Sequence, residues 1–170
     1  STQGYSSAAS DVYKRQHDAV ATCRNVTDTV GKVKQTQAEL LFETSLEELY
    51  IETDDSRLQQ VLINLLINAT KFTPDGSITL KLEKQSEKMA LFSVTDTGCG
   101  IPKEKQASIF QRFEKLDENA QGSGLGLSIC QLIIEHIGGK IWIDPDYTGG
   151  SRFVFTHPIH QTRNNSKKED

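Results

Sequence analysis

Two asparagines four residues apart, Asn64 and Asn68 in NLLINATKFT (64–73), are the first residues here whose type and spacing can do chemistry. On a helix that spacing puts both on one face, with Lys71 close to it. Asparagine oxygens are hard, neutral ligands suited to Mg²⁺, which also keeps waters and takes phosphate oxygens. Asp96 opens a second segment, DTGCGI (96–101). A buried carboxylate there can accept a hydrogen bond from an exocyclic amine such as adenine N6 and so reject a base lacking that donor. Gly98 and Gly100 let the backbone come close to a ligand. The third segment, GSGLGLSI (122–129), alternates Gly122, Gly124 and Gly126 just before a helix. Backbone N–H groups at a helix N-terminus, backed by the helix dipole, attract phosphate.

Each segment has a plainer reading: a solvated helix face, an Asp-Gly turn after a strand, a glycine hinge. The glycines match neither the dinucleotide pattern GxGxxG nor a P-loop ending in GK[ST]. In combination the three supply a metal ligand, a base acceptor and a phosphate cradle, which together predict a site for Mg·ATP. Arg112 and Lys115 are candidates for neutralising phosphate charge. Phe110 and Phe113 read either as core or as anchors of a lid made by the polar segment EKLDENAQ (114–121). His17, His136, His157 and His160 have no metal-ligand spacing and read as structural or exposed.

The elements that must position these residues are legible as periodicities. Val20, Cys23, Val26 (or Thr27) and Val30 predict a helix over 17–34, and short strands are expected at 39–43 and 49–52. The strongest helix runs over 56–72, with Leu58, Val61, Leu62, Leu65 and Leu66 as its apolar stripe and Asp54 or Asp55 as N-cap. Thr73-Pro74-Asp75-Gly76 stops it. Alternation predicts strands at 77–84 and 88–95, joined through Gln85-Ser86-Glu87, with Asp96 at the end of the second. A short helix is expected over 103–110 after Pro102, another over 125–137 before Gly138-Gly139, and strands at 140–143 and 152–157. This pattern gives an α+β, two-layer α/β sandwich, a mixed or antiparallel sheet with helices on one face.

The 170 residues, 36% hydrophobic and 25% charged, allow one ordinary globular domain. No apolar run reaches the roughly 20 residues of a membrane-spanning helix, and the start carries no signal-peptide pattern. The three cysteines, Cys23, Cys99 and Cys130, are far apart without a CxxC pair, which fits reduced thiols rather than zinc. A net charge of −4 without a basic stripe argues against nucleic acid as partner. The expected division is a flexible segment or linker over 1–16, the domain over 17–158 and a polar tail over 159–170.

DSRLQQVLINLLINATKFT (55–73) resembles the asparagine box of sensor histidine protein kinases. DTGCGI resembles their first glycine box, IFQRF (109–113) their phenylalanine box, GSGLGLSI their second glycine box and GGSRFVFTHP (149–158) their closing strand. The resemblance covers residues 17–158 and implies the Bergerat ATP-binding fold, shared with type II topoisomerases, a heat-shock chaperone and mismatch-repair ATPases. It implies Asn68 as the Mg²⁺ ligand, Asn64 beside metal and phosphate, Lys71 on phosphate and Asp96 on adenine. Gly98, Gly100 and Ile101 would shape the base pocket; Phe113, Gly122, Ser123, Gly124, Leu125 and Gly126 would form the lid hinge and its contacts. Lys115 would be a basic lid residue. Asn64, Lys71 and Lys115 would serve the transfer itself.

ATP-hydrolysing relatives carry a glutamate one helical turn before the metal asparagine, and here that position is Asn64. An amide cannot take a proton from water at neutral pH, so hydrolysis is disfavoured. The resemblance therefore implies a kinase that donates the ATP γ-phosphoryl group to a histidine in two-component signalling. The acceptor would lie on a dimerisation hairpin absent from this chain, since His17, 47 residues before Asn64, is out of place for one. A response regulator would be the downstream partner. The piece itself is expected to be a soluble, monomeric cytoplasmic domain, and the full-length protein a homodimer anchored in the inner or plasma membrane. The alternatives are an anti-sigma-type serine kinase of the same fold and a nucleotide-binding regulatory module without catalysis.

Overall fold

The computed structural model describes residues 15–111 and 126–159. The chain runs β1 (Arg15–Asp18), α1 (Ala19–Val33), β2 (Glu39–Thr44), β3 (Tyr50–Thr53), α2 (Asp55–Phe72), β4 (Ser77–Ser86), β5 (Met89–Asp96), α3 (Lys103–Gln106), α4 (Gly126–His136), β6 (Ile141–Ile143) and β7 (Ser151–Pro158). A five-stranded sheet has the order β2-β4-β5-β7-β6; β1 and β3 make a separate two-stranded ribbon. In the larger sheet β2 runs parallel to β4 and every other pairing is antiparallel. This is the mixed sheet with helices that the sequence predicts.

The core follows from two periodicities meeting. The apolar stripe of α1 (Val20, Cys23, Val26, Val30) and that of α2 (Leu58, Val61, Leu62, Leu65, Leu66) are buried. Successive strand residues face opposite sides. Thus Ile78, Leu80 and Leu82 of β4, Phe92 and Val94 of β5 and Phe153 and Phe155 of β7 turn inward together. The rings of Phe92 and Phe155 are paired across the strands and stack with centroids 4.6 Å apart. The same alternation carries Asp96, two residues beyond Val94, to the inward face at the end of β5.

Capping fixes where the site helix begins. The Asp54 carboxylate accepts the backbone N–H of Ser56 (3.2 Å) and of Arg57 (3.4 Å), so Asp54 is the N-cap of α2. Asp54→Ala should lower stability by about 1 kcal/mol, read as a shift in the denaturant midpoint at unchanged slope. At the other end of the helix Thr73 leaves helical conformation before Pro74.

Several boundaries differ from expectation, each for a local reason. Arg15–Asp18 forms a strand that polar RQHD does not announce; it exists because it pairs with β3 in register Arg15↔Thr53 to Asp18↔Tyr50. The first helix accordingly starts at Ala19, where Asp18 caps Val20 N–H and also accepts from Leu49 N–H (2.9 Å). The helix expected over 103–110 shrinks to Lys103–Gln106, with no side-chain cap. Turn bonds from Ser108 to Lys105 and from Gln111 to Ser108 continue it, and these bury Ile109 and Phe110. The hairpin between β4 and β5 is tighter than expected, because β4 extends to Ser86 while β5 begins at Met89, leaving only Glu87-Lys88, with a register shift at Lys84/Ser86. Ile159, just past the expected domain end, is buried and its N–H donates to Lys88 O at 2.8 Å.

Of the histidines, His157 is buried and its Nε2 lies 3.0 Å from the Thr53 hydroxyl, tying β7 to the β1–β3 ribbon. His136 is exposed, His17 is half-buried in β1, and His160 falls outside the described residues.

Candidate functional site

Asp96 is only 3% exposed at the end of a central strand. Its Oδ1 accepts two backbone N–H groups, from Gly98 (2.9 Å) and from Ser151 (3.1 Å), the residue directly opposite it on β7. Both backbone donors fall on one oxygen, which leaves the other available to a ligand's N–H. Burial pushes the Asp96 carboxyl above the ordinary aspartate range, and the hydrogen bonds from Gly98 and Ser151, with the Thr73 hydroxyl close by, pull it back. The Thr73 hydroxyl is fully buried and finds no well-formed hydrogen bond within the chain, yet lies close enough to Asp96 to favour its charged form.

The wall around this carboxylate is built by backbone at close quarters. A Cβ on Gly98 would stand 2.1 Å from Phe72 O at the end of α2, and one on Gly150 would stand 2.1 Å from Asp96 O. Gly150 has φ +150° and Gly100 φ +78°, conformations that side-chain-bearing residues rarely adopt. The Tyr147 hydroxyl donates to Asp96 O at 3.2 Å, and Cys99 N–H reaches Phe72 O at 3.4 Å. Ile101 is half-buried against the core, its carbonyl held by Gln106.

From this corner α2 leads towards α4. Asn68 and Asn64 are half-buried on the helix and Lys71 is exposed near its end. The Asn64 amide N–H₂ approaches Gly126 O at 3.5 Å, so the first turn of α4 abuts this face. Beneath, the Cys130 thiol donates to Val61 O at 3.8 Å; burial pushes this thiol up to about 12, against a smaller lowering from the Asn64 amide nearby. At 1.5 Å per residue, Asn64 and Thr73 stand about 13 Å apart along the helix axis. One helix therefore connects a buried carboxylate at its C-terminal end with a helix N-terminus beside Asn64.

This arrangement can accept an N–H of a heterocycle at Asp96, offer amide oxygens to a cation and turn backbone N–H groups towards an anion at the α4 end. The donor set also discriminates among metals. Among the described residues no group of three or more His, Cys, Asp or Glu side chains could cage an ion. Two amide oxygens leave most positions to water and phosphate, which fits Mg²⁺ arriving with a nucleotide.

The structure thus brings Asn64 to Gly126 and packs Gly98 and Gly100 around Asp96, with Ile101 following. Phe110 is a core residue, edge-on to Phe153 at 6.0 Å. Arg112, Phe113, Lys115, Gly122, Ser123, Gly124 and Leu125 lie outside the described residues. Sequence reasoning missed Thr73, Tyr147, Gly150 and the Ser151 N–H as builders of the Asp96 corner. The signal for Gly150 and Ser151 was present in GGSRFVFTHP, because the strand after that glycine pair must lie beside β5. Nothing in the sequence marks Thr73 or Tyr147.

Comparison with known proteins gives this geometry its family. Residues 53–161 match the family model described as histidine kinase-, DNA gyrase B- and HSP90-like ATPase. The chain is 40% identical over 119 residues to the adaptive-response sensory kinase SasA of Synechococcus elongatus, a match covering 68% of this chain and 30% of that protein. It is 43% identical over 110 residues to the circadian input-output histidine kinase CikA of the same organism, covering 62% of this chain and 14% of that protein. The chain thus spans less than a third of the length of these curated relatives. Among solved structures, the catalytic domain of histidine kinase ThkA superposes with a TM-score of 0.77 at 36% identity, covering 86% of this chain and 95% of that domain. Full-length ShkA in complex with AMPPNP superposes at 0.76 and 28% identity, covering 86% of this chain and 31% of ShkA. The chain therefore belongs to the histidine kinase-, DNA gyrase B- and HSP90-like ATPases, and within them to the catalytic domains of histidine kinases.

Proposed function

We propose that this domain binds Mg·ATP and donates the γ-phosphoryl group to a histidine on a helical hairpin outside the described residues. The observation that carries the reading is the buried Asp96 carboxylate, clamped on one oxygen and open on the other, beside the C-terminal end of the helix bearing Asn64 and Asn68. The AMPPNP bound to ShkA supports the nucleotide.

In this reading Asp96 accepts the adenine amine and the flanking glycine backbone lies against the ring. Mg²⁺, when bound, would neutralise charge developing on the transferred phosphoryl group. Asn68 and Asn64 supply amide oxygens to that complex, Lys71 offers its ammonium to phosphate, and the N-terminal turn of α4 at Gly126 turns N–H groups towards it. We assign Lys115, Phe113, Gly122, Ser123, Gly124 and Leu125 to the loop that covers the phosphates, and Gly98, Gly100 and Ile101 to the base pocket. No carboxylate stands at position 64 to deprotonate water, so ATP turnover by the domain alone should be slow and the phosphoryl group reserved for an imidazole nucleophile.

Asn68→Ala should weaken Mg·ATP-analogue binding by about fivefold to tenfold, the order of one lost ligand interaction, while leaving binding without Mg²⁺ nearly unchanged. Calorimetric titration with and without the metal checks this.

The transfer itself is tested by mixing the domain with γ-labelled ATP, Mg²⁺ and a dimerisation hairpin carrying an acceptor histidine. Label on the hairpin that is lost in acid but stable in alkali is the phosphoramidate expected here. Acid-stable label on a protein serine would favour the anti-sigma-type alternative, and binding without transfer to any hairpin would favour a regulatory module. A homodimeric full-length protein and a response regulator acting downstream belong to the same proposal. ThkA, 33% identical to this chain, has been solved in complex with the response regulator TrrA. Among the described residues no helix is long and apolar enough to cross a membrane, so the expected membrane anchor gains no support from them.

A further inference from the structure

The loop from Asp144 to Gly150 borders the Asp96 corner, and the nucleotide reading does not use it. Its base is closed by Asp144, whose N–H donates to Arg152 O at 2.8 Å. The Asp144 carboxylate also holds the Arg152 guanidinium (3.2 Å) and the Asp146 N–H (3.0 Å). Pro145, Asp146, Thr148 and Gly149 are exposed, while Tyr147 is half-buried and its hydroxyl donates to the Asp96 carbonyl at 3.2 Å. Further along, Ser151 N–H donates to the Asp96 carboxylate at 3.1 Å. One short segment thus grips both the backbone and the side chain of the same residue. The Tyr147 ring lies against Gly149, where a Cβ would stand 2.9 Å from the hydroxyl oxygen and 3.2 Å from Cζ.

We infer that Tyr147 is a positioning residue for base selection: it ties the Asp96 carbonyl to the segment whose Ser151 N–H clamps Oδ1, and so fixes the direction in which the other carboxylate oxygen meets an exocyclic amine. This rests on the placement of adenine at Asp96 in the proposed function. The hydroxyl acts through Asp96 and not on the ligand. A hydrogen bond weakens steeply as its angle departs from linear, while the phosphates are held at the other end of the cleft. Loss of the tether should therefore be felt at the amine of the base and not at the rest of the nucleotide.

The test compares ATP with purine riboside triphosphate, which lacks only the 6-amino group, by calorimetry on the whole chain in Mg²⁺. The intact chain should prefer ATP. Tyr147→Phe keeps the ring over Gly149 and removes the donor. It should weaken ATP binding by about fivefold, the order of one neutral hydrogen bond, and leave binding of the analogue unchanged. Gly149→Ala reaches the same contact from the other side, because its Cβ displaces the Tyr147 hydroxyl. It too should weaken ATP selectively, and the double variant should be no worse than Tyr147→Phe alone. A merely structural tyrosine would weaken both nucleotides alike, in step with the loss of thermal stability. That result, or additive effects of the two substitutions, overturns the inference. Asp96→Asn separates this failure from failure of the underlying reading. If Asp96→Asn abolishes the preference for ATP while Tyr147→Phe leaves it intact, the positioning role falls and the base assignment stands. If the intact chain prefers neither nucleotide, or Asp96→Asn keeps the preference, the placement of adenine falls and the inference with it.

Discussion

Asp96→Asn is expected to weaken binding of an ATP analogue by roughly ten- to a hundredfold while leaving the fold intact. The amide oxygen of an asparagine can still accept the N–H groups of Gly98 and Ser151, which now hold Oδ1. What changes is the other position, where a second acceptor becomes an N–H₂ donor facing the donor of the base. A lost hydrogen bond to a charged group is worth about 1.5–3 kcal/mol, and replacing acceptor by donor leaves two donors opposed. Guanine, whose corresponding edge carries a carbonyl, should suffer least from the exchange, so the ratio of ATP to GTP affinity should fall. Equal weakening of both nucleotides would mean that Asp96 acts only as a structural clamp.

The raised pKa of Asp96 gives the same residue a pH signature. Because burial disfavours its charged form, the folded protein protonates this carboxyl at a higher pH than the unfolded chain does. The sign follows: Asp96 contributes its full stability below the unfolded pKa, and that contribution is lost as pH rises through the folded one. ATP binding runs the opposite way, weakening as pH falls through the folded pKa, since a protonated carboxyl no longer offers two acceptors. In Asp96→Asn both dependences should disappear, and thermal stability at neutral pH should not drop, because a buried charge has been removed. A site that favours ligand at the expense of fold stability is what a functional carboxylate in a protein interior looks like.

The second large effect is expected at Gly150. Its φ of +150° is one that glycine alone adopts without strain, and an added Cβ would stand 2.1 Å from Asp96 O and 2.9 Å from Asp96 Oδ1. Gly150→Ala should cost about 2–4 kcal/mol, combining backbone strain with forced displacement of close-packed neighbours. Since the displaced neighbour is Asp96 itself, nucleotide affinity should fall with stability. Thermal unfolding and calorimetry on one preparation would check this. Gly31 is the internal control: a Cβ there meets nothing within 4 Å, and Gly31→Ala, in the interior of α1, should be neutral or stabilising. If both substitutions behave alike, the close approach at Gly150 is not what shapes the pocket.

Much of this was legible because the informative residues sit on strongly periodic elements. The leucine stripe of α2 fixes which face is inward, and that alone leaves Asn64 and Asn68 at its margin. The period-two alternation of β5 fixes Asp96 as the last inward residue of its strand. What sequence could not supply depends on pairing between distant segments. Arg15–Asp18 is polar and becomes a strand only through β3. Thr73 reads as a helix stop, and its role beside Asp96 emerges only when β5 and β7 close over the end of α2. Tyr147 belongs to a loop whose path is set by β7, so its hydroxyl on Asp96 O leaves no trace in local pattern. Lys103–Gln106 failed in the other direction: a Pro followed by good helix formers promised more helix than burial of Ile109 and Phe110 allowed.

The most direct measurement is a calorimetric titration of the intact chain with AMPPNP in the presence of Mg²⁺. The account predicts saturable binding at one site per chain, weakened when Mg²⁺ is omitted and weakened again in Asp96→Asn. No saturable binding by the intact chain, or binding indifferent to both the metal and Asp96, would contradict it.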